Sequence, residues 1–81
     1  MKPKQTGMNG NQARIIVAMA ENNLRPQRVA KALHYSRTNV DYHVQRVREL
    51  TGKDPRDFFD MCELLPVARE ILAREEAAEN G

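Results

Sequence analysis

Arg25-Pro-Gln-Arg-Val-Ala-Lys-Ala-Leu-His-Tyr-Ser-Arg-Thr-Asn-Val-Asp-Tyr-His-Val-Gln-Arg-Val-Arg-Glu-Leu-Thr-Gly52 is the stretch that decides the fold. Pro26 suits a first helical position, where a missing N–H costs nothing. Val29, Ala30 and Leu33 then share one face, and Ala30 is small enough for a second helix to cross closely. His34-Tyr35 makes a short turn, and Ser36 is the expected N-cap of the next helix. From Arg37 to Leu50, Val40, Val44, Val47 and Thr51 recur at spacings of four, three and four, a narrow buried stripe. Thr38, Asn39, Tyr42, Gln45, Arg46 and Glu49 lie opposite that stripe. Gly52 is the expected left-handed residue closing the helix. A buried helix behind a polar one is the arrangement that presents side chains to a DNA groove.

Outward from this core, the polar residues 1–10 contain Pro3, Gly7 and Gly10 and predict a mobile basic tail. A first helix is expected from Asn11-Gln12 to about Asn22, burying Ile15, Ile16, Met19 and Ala20, with Leu24 plugging the junction. Residues 11–53 thus form the helix–turn–helix core. Residues 54–79 follow as C-terminal helices for packing and dimerisation. Asp54-Pro55 reads as an N-cap and first helical position, starting a fourth helix that buries Phe58, Met61, Cys62 and Leu65. Pro66 inside a helix costs about 3 kcal/mol, so a break near Leu65 and a fifth helix carrying Val67, Ala68, Ile71 and Leu72 are expected. Strand signals are missing. The expected fold is all-α, a bundle of four to five helices.

Charge is segregated along the 81 residues. Residues 1–53 hold ten Lys/Arg against three acids, a balance of +7, whereas residues 54–81 hold three against eight, a balance of −5. Such a field draws phosphate to one end and repels it from the other. The only cysteine, Cys62, rules out an internal disulfide and fits a reducing cytosol. The six-residue apolar run Ile15–Ala20 is too short for a membrane span. The expected location is therefore cytoplasmic, at the nucleoid. His34, His43 and Cys62 have no ligand spacing for zinc, and no glycine-rich loop awaits a nucleotide. No metal, cofactor or catalytic residue is assigned, and an enzyme is not expected.

The run from Ala30 to Gly52 resembles the C-terminal helix–turn–helix of PucR/CdaR-type bacterial transcription regulators, and its layout is similar to the Fis-like helix–turn–helix. Ala30, Leu33, His34, Arg37, Val40, Tyr42, Val44, Val47 and Leu50-Thr51-Gly52 carry the likeness. The resemblance covers about residues 13–65 and implies binding of double-stranded DNA. Thr38-Asn39 reverses the family's usual order, and Asp41 and His43 stand where it usually has arginines. The family's domain normally closes a longer protein with a ligand sensor. Here the first helix begins too early to leave room for one, so a stand-alone regulator is expected.

Arg37 at the start of the recognition helix can bridge guanine O6 and N7, or clamp a phosphate. Thr38 suits a thymine methyl or a phosphate, Asn39 suits adenine, and both could instead cap the turn at Ser36. Tyr42 suits a phosphate or sugar one turn on. These four are the expected base readers. Gln27, Arg28, Ser36, Gln45, Arg46 and Lys53 are the expected backbone contacts, positioning without reading sequence. Asp41 would repel phosphate unless it pairs with Arg37 one turn away. Two-fold pairing through Phe59, Leu64, Ile71 and Leu72 would set recognition helices about 34 Å apart; the rival reading is that this apolar surface folds back over the first helix and completes a monomeric core. The alternative is a protein-interaction adaptor or antitoxin-like module using the same fold.

Overall fold

A computed structural model describes residues 7–80, with side chains through 78. Four helices follow in order: α1 (Gly10–Glu21), α2 (Pro26–Leu33), α3 (Arg37–Thr51) and α4 (Phe58–Asn80), with no strand among the described residues. The basic tail residues Lys2 and Lys4 lie outside the described residues. Met8, Asn9 and Gly10 of that expected tail belong to the structured domain. Met8 is buried against the core, and Asn9 caps α1. Asn9 Oδ1 accepts the Gln12 amide at 2.9 Å, while Gln12 Oε1 accepts the Asn9 amide at 3.1 Å. This reciprocal box satisfies two otherwise unpaired donors and starts the helix ahead of Asn11.

Leu24 and Asn23 take left-handed backbone conformations after α1, and the Leu24 amide returns to the Met19 carbonyl at 2.8 Å. That turn packs Leu24 against the core. α2 ends as expected at His34, which adopts φ 59°, while the Tyr35 amide bonds the Ala30 carbonyl at 2.9 Å. Ser36 Oγ accepts the Asn39 amide at 3.0 Å, so the expected cap of α3 forms. The valine stripe is the buried side of α3: Val40 and Val47 are fully enclosed and Val44 nearly so. Gly52, at φ 75°, closes α3 with its amide on the Arg48 carbonyl.

The C-terminal part departs from expectation twice. Asp54-Pro55 forms a turn, and α4 begins three residues after Pro55, capped by Asp57, whose Oδ2 accepts the Asp60 amide at 2.9 Å. Pro55 itself fills the core. As α4 docks on α1, Met61, Leu64 and Ala68 face inward while Phe58 and Cys62 are exposed. Leu64, expected on a pairing surface, is therefore a core residue.

The second departure is that α4 continues through Pro66, and no fifth helix forms among the described residues. Pro66 lies on the solvent side, as does Cys62 four residues before it. Water can satisfy the carbonyl that proline leaves unpaired. The continuous helix keeps Met61 and Leu64 buried before Pro66, and Ala68, Ile71 and Leu72 packed after it. Burial of one large apolar side chain contributes about 1.5–3 kcal/mol, so several together outweigh the proline.

α1 and α4 pack against one another in opposite directions: Arg14 meets Glu75 at one end, and Ala20 shares an apolar cavity with Phe58 and Met61 at the other. α2 and α3 pack together over α1. This scaffold leaves the outer face of α3 uncovered by any other helix.

Candidate nucleic-acid interface

Because successive residues of a helix turn by about 100°, the outer side of α3 divides into three rows. Thr38, Tyr42, Gln45 and Glu49 run along its centre. Arg37, Asp41 and Arg48 form one flank, and Asn39 and Arg46 form the other. Each is exposed except Arg46, which is half-buried. The four expected base readers therefore share the N-terminal half of the helix, with Arg37 and Asn39 on opposite sides of Thr38 and Tyr42. Tyr42 is 58% exposed, its ring edge-on to His43 at a centroid distance of 5.2 Å.

The side chains of Thr38 and Asn39 make no hydrogen bond among the described residues; the cap at Ser36 uses only the Asn39 backbone amide. Both side chains are thus available to a partner. Arg37 is not idle: its Nε donates to Asp41 Oδ1 at 3.0 Å, the one-turn pair expected from the sequence.

The expected backbone contacts fall into two groups. Gln27, Arg28 and Ser36 are exposed, and Arg28 forms no ion pair among the described residues, nor do its neighbours Arg25 and Lys31. By sequence, Lys31 reads as a solvated charge and Arg25 has no role. Their position on the uncovered surface of α2 adds both to this cationic edge.

Gln45, Arg46 and Lys53 are instead tied up. Arg46 pairs with Glu49 at 2.8 Å, Gln45 Nε2 donates to Glu49 at 3.4 Å, and Arg48 donates to Gln45 Oε1 at 3.3 Å. The Arg46 and Gln45 hydrogen bonds hold the Glu49 carboxyl below its ordinary pKa. Lys53 turns toward α4 and meets Glu63 at 2.7 Å, which raises its pKa. On this surface the cations without an acid among the described residues are consequently Arg25, Arg28 and Lys31 at α2, whereas along α3 Arg37 is paired with Asp41, Arg46 with Glu49, and Arg48 stands 4.0 Å from Asp54.

Sequence reading misses a side-chain contact that joins α3 to α1. Gln12, the one buried polar side chain among the described residues, reaches from α1 to place Nε2 3.4 Å from His43 Nδ1 on α3. Burial lowers the His43 pKa. The capping half of Gln12's role is local, with Asn9 three residues before it, but its contact with a residue 31 positions away gives no local signal.

Against known proteins, the family model for the PucR C-terminal helix-turn-helix domain matches residues 12–66. The chain belongs to this family. The PucR-type match runs from Gln12 in α1 to Pro66 in α4 and so contains the whole exposed surface. A PucR-type helix–turn–helix points to DNA-binding transcription regulation. Neither the curated proteins nor the solved structures compared give a match. Among the described residues no helix is long and apolar enough to cross a membrane, and no cluster of metal-binding side chains occurs.

Proposed function

We propose that this PucR-type domain binds double-stranded DNA sequence-specifically, as a transcriptional regulator, with α3 in the major groove. The observation that carries the reading is the bare N-terminal half of α3. Arg37, Thr38, Asn39 and Tyr42 are all exposed there. Beside them stand Arg25, Arg28 and Lys31, cations without an acid among the described residues. Helix–turn–helix proteins read bases with this part of the recognition helix, while the preceding helix crosses the phosphate backbone. Gln27, Arg28 and Ser36 suit that backbone role. Gln45 and Arg46 follow farther along the groove once their Glu49 contacts are exchanged for phosphate.

One such module spans few base pairs, which favours a two-fold pair. Phe59, 76% exposed, offers an apolar side chain for it, whereas Ile71 and Leu72 lie on the core side of α4. Working as a pair, two copies would read half-sites about 34 Å apart.

The test is titration of labelled duplex DNA at two salt concentrations. Submicromolar binding at low salt that falls steeply as salt rises is expected. Arg37→Ala should weaken binding to the preferred site more than Lys31→Ala does. A parent that binds no duplex at low salt overturns the reading and leaves the adaptor role.

A further inference from the structure

Resting on that reading, we infer that Asp41 is a positioning residue that holds Arg37 for a guanine, rather than a misplaced negative charge on a DNA-facing helix. The geometry lies in which edge of the guanidinium is taken. Asp41 accepts from Nε, at 3.0 Å, and that is the hydrogen bond the Arg37 side chain makes among the described residues. The two terminal amino groups remain open. They form the forked pair of donors that matches guanine O6 and N7 in the major groove.

The environment of the pair supports the same division of labour. Both side chains are about half exposed, 53% and 54%, so neither group is buried for the sake of stability. An exposed pair at this spacing contributes only a few tenths of a kcal/mol to a helix. What it does achieve is conformational. An unrestrained arginine loses its side-chain freedom when it docks, and an arginine already fixed by a neighbour loses less. Anchoring through Nε restricts the chain while leaving the recognition edge untouched.

Asp41 also sets a cost for error. With its carboxylate one turn along the same flank, the surface is repelled by phosphate wherever Arg37 finds no base to grip. The device therefore trades general affinity for discrimination. In the C-terminal half of α3 Arg46 is held by Glu49 and Arg48 stands 4.0 Å from Asp54, so such discrimination would come from the first turns of the helix.

The experiment selects preferred duplexes from a random pool with the parent protein, then replaces each guanine by 7-deazaguanine, which deletes N7. A guanine whose replacement weakens the parent about tenfold but leaves Arg37→Ala unaffected is the Arg37 contact. At that guanine Asp41→Ala is expected to lose most of the tenfold ratio while binding random duplex more tightly than the parent. Asp41→Asn, which keeps an acceptor for Nε without the charge, should fall between them. Circular dichroism monitors the fold, which an exposed substitution leaves intact. If Asp41→Ala tightens binding to all duplexes and keeps the full ratio, Asp41 is only repulsive and the positioning role is wrong. A parent without duplex binding instead removes the DNA reading itself, and the positioning role with it.

Discussion

The side-chain amide of Gln12 stands 3.4 Å from Nδ1 of His43, joining the first turn of α1 to the middle of the recognition helix. Gln12 Oε1 is already committed to the Asn9 amide, so the group facing His43 is the NH2 donor. His43 Nδ1 must therefore accept, which places its proton on Nε2 in the neutral ring. A protonated ring would set donor against donor. Turning the amide over would break the α1 cap.

A pH dependence of stability follows. Burial holds the folded His43 pKa below its ordinary 6.5, so near and below that pH the unfolded chain binds more protons. Stability should fall as pH drops through 6.5 toward the folded value. Carboxylates act at lower pH. Burial raises Asp54, but Arg56 hydrogen bonds and the charges of Arg56 and Arg48 outweigh it and bring it below its usual 3.8. Urea midpoints at pH 7.5, 6.5 and 5.5 should decline in the parent and decline less in His43→Gln. Equal slopes in both proteins would rule His43 out as the source.

Ser36 has two roles that separate by substitution. It caps α3 through the Asn39 amide and sits on the surface proposed to approach the DNA backbone. Ser36→Ala should destabilise the domain by about 1 kcal/mol, the usual cost of a lost cap. Ser36→Asp keeps a capping oxygen and suits the positive end of the helix. It should unfold at or above the parent's midpoint yet bind duplex more weakly. Parallel thermal melts and anisotropy titrations distinguish the two effects, and full DNA affinity in Ser36→Asp would remove Ser36 from the interface.

Lys53 and Arg28 bear the same charge but different partners. Lys53 is held by Glu63, whereas Arg28 faces solvent without an acid among the described residues. Neutralising a lysine already balanced by a carboxylate changes the local field little. Arg28→Ala should lower duplex affinity at every sequence and flatten the salt dependence by about one phosphate contact. Lys53→Ala should change neither by a comparable amount. Salt-dependent titration of both variants checks this, and an equal loss for Lys53→Ala would mean that its Glu63 pair opens on DNA.

Local chemistry makes the helix–turn–helix legible in the sequence itself. Val40, Val44 and Val47 repeat with the helical period, Ser36 needs only the amide three residues on, and Gly52 reports its own backbone angle. The Arg37–Asp41 pair is legible for the same reason, since its members are one helical turn apart. Gln12 with His43, Lys53 with Glu63, and Arg48 beside Asp54 are harder to read. They depend on how α1 and α4 lie against α3, or on a choice among several acids within reach. Phe58 and Cys62 defeat sequence reasoning because α4 offers apolar residues on more than one face, and its docking on α1 selects the one with Met61, Leu64 and Ala68.

Pro66 tests whether tertiary packing or local preference rules α4. Proline is solvent-facing here, in a helix running unbroken from Phe58 to Asn80. If packing imposes the helix on it, alanine should relieve the cost of the missing N–H and the ring clash with the Cys62 carbonyl. That relief reaches about 3 kcal/mol in a helix interior, and the greater freedom of the unfolded alanine chain offsets up to about 1 kcal/mol. Pro66→Ala should thus stabilise the domain by about 2 kcal/mol, read as a higher urea midpoint with an unchanged slope. No gain, or a loss, would show that Pro66 marks a real break and that residues beyond it form a separate helix. DNA affinity should be unaffected in the expected case, since Pro66 is far along α4 from the exposed face of α3.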